Sequence, residues 1–191
     1  WHENVNGDGE TWTTHEISLG VEQPTDVIDH DVDLDGDLDL VVATFAGGIL
    51  WIENRLGSAP AWAVHIVDSE VSFASRVAVA DLDGDGETEI VATAITTPLV
   101  AWWDRPALLT DPWTRQVVAT EASSGLTVAD MDQDGAVDIL TLAWGGAKTP
   151  RFWRNHASGL FLGGVLSGTY AFARSIAVAA LDPDGDLDVA V

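Results

Sequence analysis

An aspartate-rich loop pinched between two short β-branched runs recurs four times in this chain, at almost constant spacing. The copies read DVDLDGDLDLVVAT from Asp31, DLDGDGETEIVATA from Asp81, DMDQDGAVDILTLA from Asp130 and ALDPDGDLDVAV from Ala180, and their starts lie 50, 49 and 50 residues apart. A period held that closely is the mark of stacked supersecondary units, each burying its apolar face on the next. The chain is therefore expected to be an array of β units, each with an acidic loop at the same place.

The stretch from Arg76 to Val118 serves as the pattern. VAVA (Val77 to Ala80) is small and β-prone, as a crowded inner strand requires. The acidic loop follows, then EIVATAI (Glu89 to Ile95), LVAWW (Leu99 to Trp103) after a turn at Thr97-Pro98, and WTRQVV (Trp113 to Val118). Four strands with short links make an antiparallel meander. No stretch carries helical periodicity, and Gly or Pro punctuates the chain throughout.

The same phase recurs on either side. ILWIEN (Ile49 to Asn54) and WAVHIV (Trp62 to Val67) are the third and fourth strands of the first complete unit, and RFWRN (Arg151 to Asn155) and LFLGGVL (Leu160 to Leu166) those of the third. At the N-terminus Trp1-His2-Glu3-Asn4 matches Trp51-Ile52-Glu53-Asn54, Trp12 matches Trp62 and His15 matches His65. The chain thus opens on strands three and four of one unit and closes on strands one and two of another. Four-stranded sheets arranged radially make a β-propeller, an all-β fold whose ring is commonly closed by a blade built from both termini. The expected division is a single domain over 1–191, with a half-blade at 1–20, repeats at 21–69, 70–119 and 120–168, and a half-blade at 169–191. The two ends either complete a fourth blade, pair with neighbouring chains through their unfinished edges, or belong to a larger propeller.

In the first loop Asp31, Asp33 and Asp35 occupy positions 1, 3 and 5, Gly36 follows, Asp37 offers its carbonyl at position 7, and Asp39 closes the loop at position 9. Alternating acids in a tight turn aim several hard oxygens at one centre, which suits Ca²⁺ better than Mg²⁺ with its strict octahedron and retained waters. Thiolates and paired imidazoles are absent, so zinc is a poor match. The second loop supplies Asp81, Asp83, Asp85, Glu87 and Glu89; the third Asp130, Asp132, Asp134, Ala136 (through its carbonyl) and Asp138. The fourth begins with Ala180 and retains Asp182, Asp184, Asp186 and Asp188, so it is expected to be the weakest. Three to four Ca²⁺ ions are expected in all. An EF-hand is excluded, because position 12 is Val42, Ala92, Thr141 and Val191 rather than Glu, and the flanks are strand-like. The form D-x-D-x-D-G-x-x-D between strands resembles the FG-GAP/VCBS repeat, the family that includes the integrin α-subunit propeller. That resemblance implies that each loop joins the first and second strands of a blade and binds calcium on the lower face. Asn6-Gly7-Asp8-Gly9 imitates the motif but aligns with the Leu56-Gly57 turn, and reads as a hairpin link.

The formal charge is −23, from 31 acidic against 8 basic residues with Lys148 the only lysine. Such a surface repels nucleic acid and anionic membranes. No run reaches the eighteen or so apolar residues of a membrane-spanning helix. With no leader before Trp1, the expectation is that a signal peptide has been removed or that the segment comes from a longer protein. No cysteine is present, so in an exported protein metal ions would act as the staples.

Nine tryptophans invite a carbohydrate-stacking reading, yet Trp1, Trp51 and Trp102 share one repeat position and Trp12, Trp62 and Trp113 another. Recurrence at fixed places predicts packing between blades. Trp144 aligns with Phe45 and Ile95 as a further apolar wedge, and Phe73 shares a position with Phe172. The links at the end opposite the acidic loops carry Glu70, Glu121, Lys148 and Tyr170, on loops of the kind that usually bear binding residues. Catalytic signatures are lacking. His15-Glu16 begins like a zinc-protease motif but has Leu19 where the second His belongs, and there is no G-x-S-x-G elbow or phosphate loop. The expected function is an extracellular or secreted calcium-binding module that binds a protein or glycan. The alternatives are a lyase-like polysaccharide-processing enzyme, which some members resembling this repeat family are, and a structural subunit assembling through its half-blades.

Overall fold

The computed structural model describes residues 1–191 apart from 18–19, 21–22, 56–60, 146–148, 157–158 and 171–172. Leu19, the Leu56-Gly57 turn, Lys148 and Phe172 therefore lie outside the described residues. Every regular element described is a strand, and no helix is long and apolar enough to cross a membrane.

A short hairpin of β1 (His2–Asn4) and β2 (Trp12–Thr14) comes first. Three four-stranded antiparallel meanders follow, each in simple sequence order. The first holds β3 (Pro24–His30), β4 (Asp39–Thr44), β5 (Ile49–Asn54) and β6 (Trp62–Asp68). The second holds β7 (Ala74–Ala80), β8 (Glu89–Ala94), β9 (Leu99–Asp104) and β10 (Thr114–Ala119). The third holds β11 (Ser123–Ala129), β12 (Asp138–Ala143), β13 (Pro150–Asn155) and β14 (Phe161–Val165). A second hairpin, β15 (Ala177–Ala179) with β16 (Asp188–Ala190), ends the chain.

The sheets stack face on face, and the alternation of side chains along each strand decides which interface each residue fills. Val41, Ala43, Ile49 and Trp51 leave one face of the first sheet to meet Val77, Ile90, Ala92, Ala101 and Trp103 of the second. The opposite face of the second sends Val91, Val100 and Trp102 against Ile139, with half-buried Trp153 and Phe161, of the third. Leu140, Leu142 and Phe152 then face Ile176, Val178 and Val189 beside the last hairpin. Because β8 lies inside its sheet and is covered on both faces, all six of its residues are buried, the apolar run Ile90–Ala92 and Ala94 together with Glu89 and Thr93. The outer strand β10 is mostly exposed.

The first strands of successive meanders are neighbours: β3 packs on β7, β7 on β11, and β11 on β15. That crowding explains their small residues. At Gly125 an added Cβ would come within 2.9 Å of Leu142 Cβ and 3.2 Å of Ile176. The ladder of each inner strand also skips one residue at the same place: Thr25 in β3, Ser75 in β7 and Ser124 in β11. Such a bulge turns a side chain away from its regular direction.

Of the three outcomes open for the terminal hairpins, a shared blade is not formed within this chain: β1 pairs with β2 and β15 with β16, and no ladder among the described residues joins β16 to β1. One expectation is corrected. Six tryptophans were expected to pack between units, and Trp51, Trp102 and Trp113 do, whereas Trp62 packs on the outer face of its own sheet. Trp51 and Trp102 are buried and Trp62 and Trp113 half-buried, but Trp1 and Trp12 are 49% and 55% exposed. The reason is position, since no further sheet covers the first hairpin. The alignment itself survives at atomic detail. Trp1 stacks on His15 and Trp51 on His65, each pair 4.2 Å between ring centres, and each histidine bonds the glutamate of its unit, Glu3 or Glu53.

Trp103→Ala should lower the unfolding free energy by about 3–5 kcal/mol in a urea titration, through the cavity left between two sheets. Trp12→Ala, made on an exposed hairpin, should cost less than about 1 kcal/mol. Equal costs would contradict the stacking order.

Candidate metal centres in the acidic hairpin loops

Each acidic loop caps the turn from the first to the second strand of its unit, so all four project from the same end of their sheets. Glycine at position 6 makes the turn possible. Gly36, Gly86, Gly135 and Gly185 have φ of 98°, 90°, 94° and 94°, although open space surrounds each. Conformation, not room, therefore requires glycine there. Position 4 is left-handed too in the first three loops, at Leu34 (63°), Gly84 (81°) and Gln133 (59°).

Backbone amides gather the carboxylates from beneath. In the first loop Asp31 accepts from the amides of Asp35 and Gly36 at 3.1 Å each, while Asp33 takes Asp35 N–H at 3.2 Å and Asp35 takes Asp37 N–H at 2.9 Å. The third loop repeats the set through Asp130, Asp132 and Asp134, and the second largely so through Asp81, Asp83 and Asp85. Asp37, Glu87 and Ala136 follow at position 7, each half-buried; Glu87 is salt-bridged to Arg105 at 2.9 Å.

The ninth-position acid is a clip in every loop. Asp39, Glu89, Asp138 and Asp188 each accept the amide of position 2, from Val32, Leu82, Met131 and Leu181, at 3.2, 2.6, 3.0 and 2.8 Å. Asp39 also accepts the Trp51 indole N–H at 2.8 Å and the Asn54 amide at 2.7 Å; Asp138 accepts the Asn155 amide at 2.8 Å. Asp39, Glu89 and Asp138 are buried and Asp188 half-buried, and burial pushes the Asp39 and Asp138 carboxyls above their ordinary range despite the amides that pull them down.

Four sets of carboxylate oxygens converge to within 4.8 Å of one another: Asp31 with Asp33 and Asp35, Asp81 with Asp83 and Asp85, Asp83 with Glu89 and Asp104, and Asp130 with Asp132 and Asp138. The second loop is the most demanding. One oxygen of Glu89 holds the Leu82 amide, while the other, Oε1, is buried with no hydrogen-bond partner. Its carboxyl is pushed up to about 7, first by burial and then by Asp83, Asp81 and Asp85. Asp104 is raised by burial and then by Asp83, Asp85 and Glu87. An orphaned buried acceptor beside three like charges is a cost that a divalent cation removes. The residues present therefore fit a hard, oxygen-ligated ion at this loop.

The loops differ in how much charge is already offset. Arg154 forms ion pairs with Asp132 and Asp134 of the third loop, so a guanidinium supplies part of the positive charge there. In the fourth loop Asp182, Asp184 and Asp188 enter no converged group among the described residues. Besides lacking the position-1 acid, this loop places Pro183 at position 4, and the proline ring fixes φ near −65°, which forbids the left-handed turn used by its siblings. Pro183 is a signal in the sequence that the acid count passes over. Asp104 is another: it lies in the third strand, at the repeat position held by Glu53 and Arg154, where a charged residue faces each loop.

At the far end of the sheets, Glu70 is exposed and meets Arg115 at 3.5 Å, and Glu121 pairs with Arg151 at 3.4 Å. Tyr170 is 40% exposed, and Trp144, expected as an apolar wedge, is 47% exposed.

Residues 31–92, which span the first two acidic loops, match the family model of the FG-GAP-like repeat. No curated protein matches the chain.

In metal chelator the raised Glu89 carboxyl has a definite sign. Its favourable contribution is complete below about 4.5 and is lost as pH rises through about 7. Thermal melts in EDTA should therefore fall as pH is raised from 5 to 8, by several degrees. Glu89→Gln should raise the EDTA melt at pH 8 and flatten that slope; a slope unchanged by the substitution would contradict the assignment.

Proposed function

We propose, on the premise of this FG-GAP-like repeat, that the chain is a calcium-stabilised β-propeller module, exported from the cell, that binds a protein or glycan at the end opposite its acidic loops. The observation that carries the calcium part is the buried, partnerless Glu89 Oε1 set against Asp83 and Asp104. Radial arrangement is supported by the neighbouring inner strands β3, β7, β11 and β15 and by the face-to-face stacking of the sheets. Calcium neutralises acids that otherwise repel, ties each hairpin tip, and stiffens the scaffold that presents the opposite loops. Extracellular modules hold Ca²⁺ at about 10⁻⁴ to 10⁻³ M, an affinity that leaves them loaded outside cells and largely empty in cytosol. The converged groups in the first three loops and Pro183 in the fourth support three ions rather than four.

The separate terminal hairpins favour a second role for the same module. The edges of β1 and β16 carry backbone groups without a ladder partner, and such edges pair with other strands. The module is accordingly proposed to join a second copy, or further repeats, through these hairpins. Sedimentation in calcium should detect association that a proline within β16 abolishes.

Calcium titration by calorimetry should give about three ions per chain, with a melting temperature several degrees higher in millimolar calcium than in EDTA. Magnesium at the same concentration should give a smaller gain. Identical melts in calcium and EDTA would reject this reading.

A further inference from the structure

The chain has seven arginines among 31 acidic residues, and five are ion-paired: Arg55 with Glu53, Arg105 with Glu87, Arg115 with Asp68, Arg151 with Glu121, and Arg154 with Asp132. The other two, Arg76 and Arg174, have no carboxylate partner among the described residues. Arg76 donates only to its neighbour's carbonyl, Ser75 O, at 2.7 Å. Both line one open cavity of about 260 Å³ at the end of the sheets away from the acidic loops. In so acidic a protein, two unpaired guanidiniums converging on one cavity are an anion site rather than a surface average.

The remaining walls narrow the anion's chemistry. Thr25, Ser75 and Ser124, the residues displaced by the bulge repeated in β3, β7 and β11, all line this cavity. The hydroxyl hydrogens of Thr25 and Ser75 are committed to backbone carbonyls, of Ala74 at 2.5 Å and Ser123 at 2.6 Å. The Thr25 oxygen is left as an acceptor, whereas Ser75 Oγ already meets Thr93 Oγ1 at 2.9 Å, so the ligand must bring a hydrogen-bond donor to Thr25 as well as its negative charge. Ser124 is held only by a long contact of 3.5 Å to Leu142 O and can serve in either sense. The exposed indole of Trp144 forms an apolar wall. A carboxylate, hydroxyl groups able to donate to Thr25 and pair with Ser124, and a C–H face together describe a sugar acid, and the volume, just below that of drug-sized ligand pockets, suits one ring. We propose that this cavity binds a single uronic acid residue, its carboxylate between Arg76 and Arg174 and its ring against Trp144. This rests on the reading of the opposite end of the sheets as the ligand face, and names the ligand class there.

The test is titration of calcium-saturated protein with glucuronate and galacturonate, followed by calorimetry and tryptophan fluorescence. Saturable binding of either at one site per chain is expected, with glucose and galactose weaker by at least about tenfold because they lack the charge-assisted bonds. Arg174→Gln, at an exposed residue with no partner among the described residues, should weaken uronate binding by about tenfold or more while leaving the calcium-loaded melt unchanged; Arg76→Gln and Trp144→Ala should weaken it too. No uronate binding at about 10 mM, equal binding of the neutral sugars, or indifference to both arginine substitutions would overturn the proposal. Tighter binding of N-acetyl-aspartate than of either uronate would assign the cavity to acidic peptide side chains instead, and also overturn it. The calcium melt is read separately: uronate binding by a protein whose melt ignores calcium would reject the metal reading alone, and a calcium-stabilised protein indifferent to uronates would reject the site alone.

Discussion

A carboxylate at the base of each acidic hairpin, buried in the first three and accepting the amide seven residues before it, is the interaction on which the rest of the structure depends. Asp39, Glu89, Asp138 and Asp188 make that bond in all four loops, and in the first and third units the same group reaches the third strand through Asn54 or Asn155. It fixes the loop to its own sheet. It also forces the first, third and fifth carboxylates into a cluster on top of a group that is itself negative.

That geometry sets up opposing demands. Hydrogen bonds to the clip order the hairpin, while burial and like charge make the ionised form costly, most of all at Glu89. The protein answers locally in two ways. Arg154 brings a guanidinium to the third loop, and Arg105 ties Glu87 to the carbonyl of Val32, linking the second loop to the first. Neither reaches Glu89 Oε1, and this loop is where a bound cation has the most to relieve. The sheets around it are stiff: β8 and β9 are buried on both faces, so the carboxylates cannot relax apart by bending the scaffold.

Much of this was legible in the residues because a fifty-residue period repeats local chemistry. The acidic loops, the strand order and the Trp–His–Glu grouping of Trp51, His65 and Glu53 with its copy at Trp1, His15 and Glu3 all follow from alignment alone. What alignment misreads is context. Trp12 and Trp62 are equivalent in register, yet only Trp62 packs on a buried cluster, that of Val42, Leu50 and Ile52 in its own sheet. Asp104 is distant from its loop in sequence and joins it only through strand pairing, so counting acids along the loop passes it by. Pro183 was readable, but only by asking which backbone angles position 4 requires. The cavity bearing Arg76 and Arg174 depends on residues nearly a hundred apart and on a bulge that no composition signals.

Anomalous diffraction from crystals grown in millimolar calcium tests the central claim most directly. The account predicts ions at the first three loops, one of them within bonding distance of Glu89 Oε1, and none among Asp182, Asp184 and Asp188. Ordered loops without ions, or an ion held by the fourth loop in preference to the second, would contradict it.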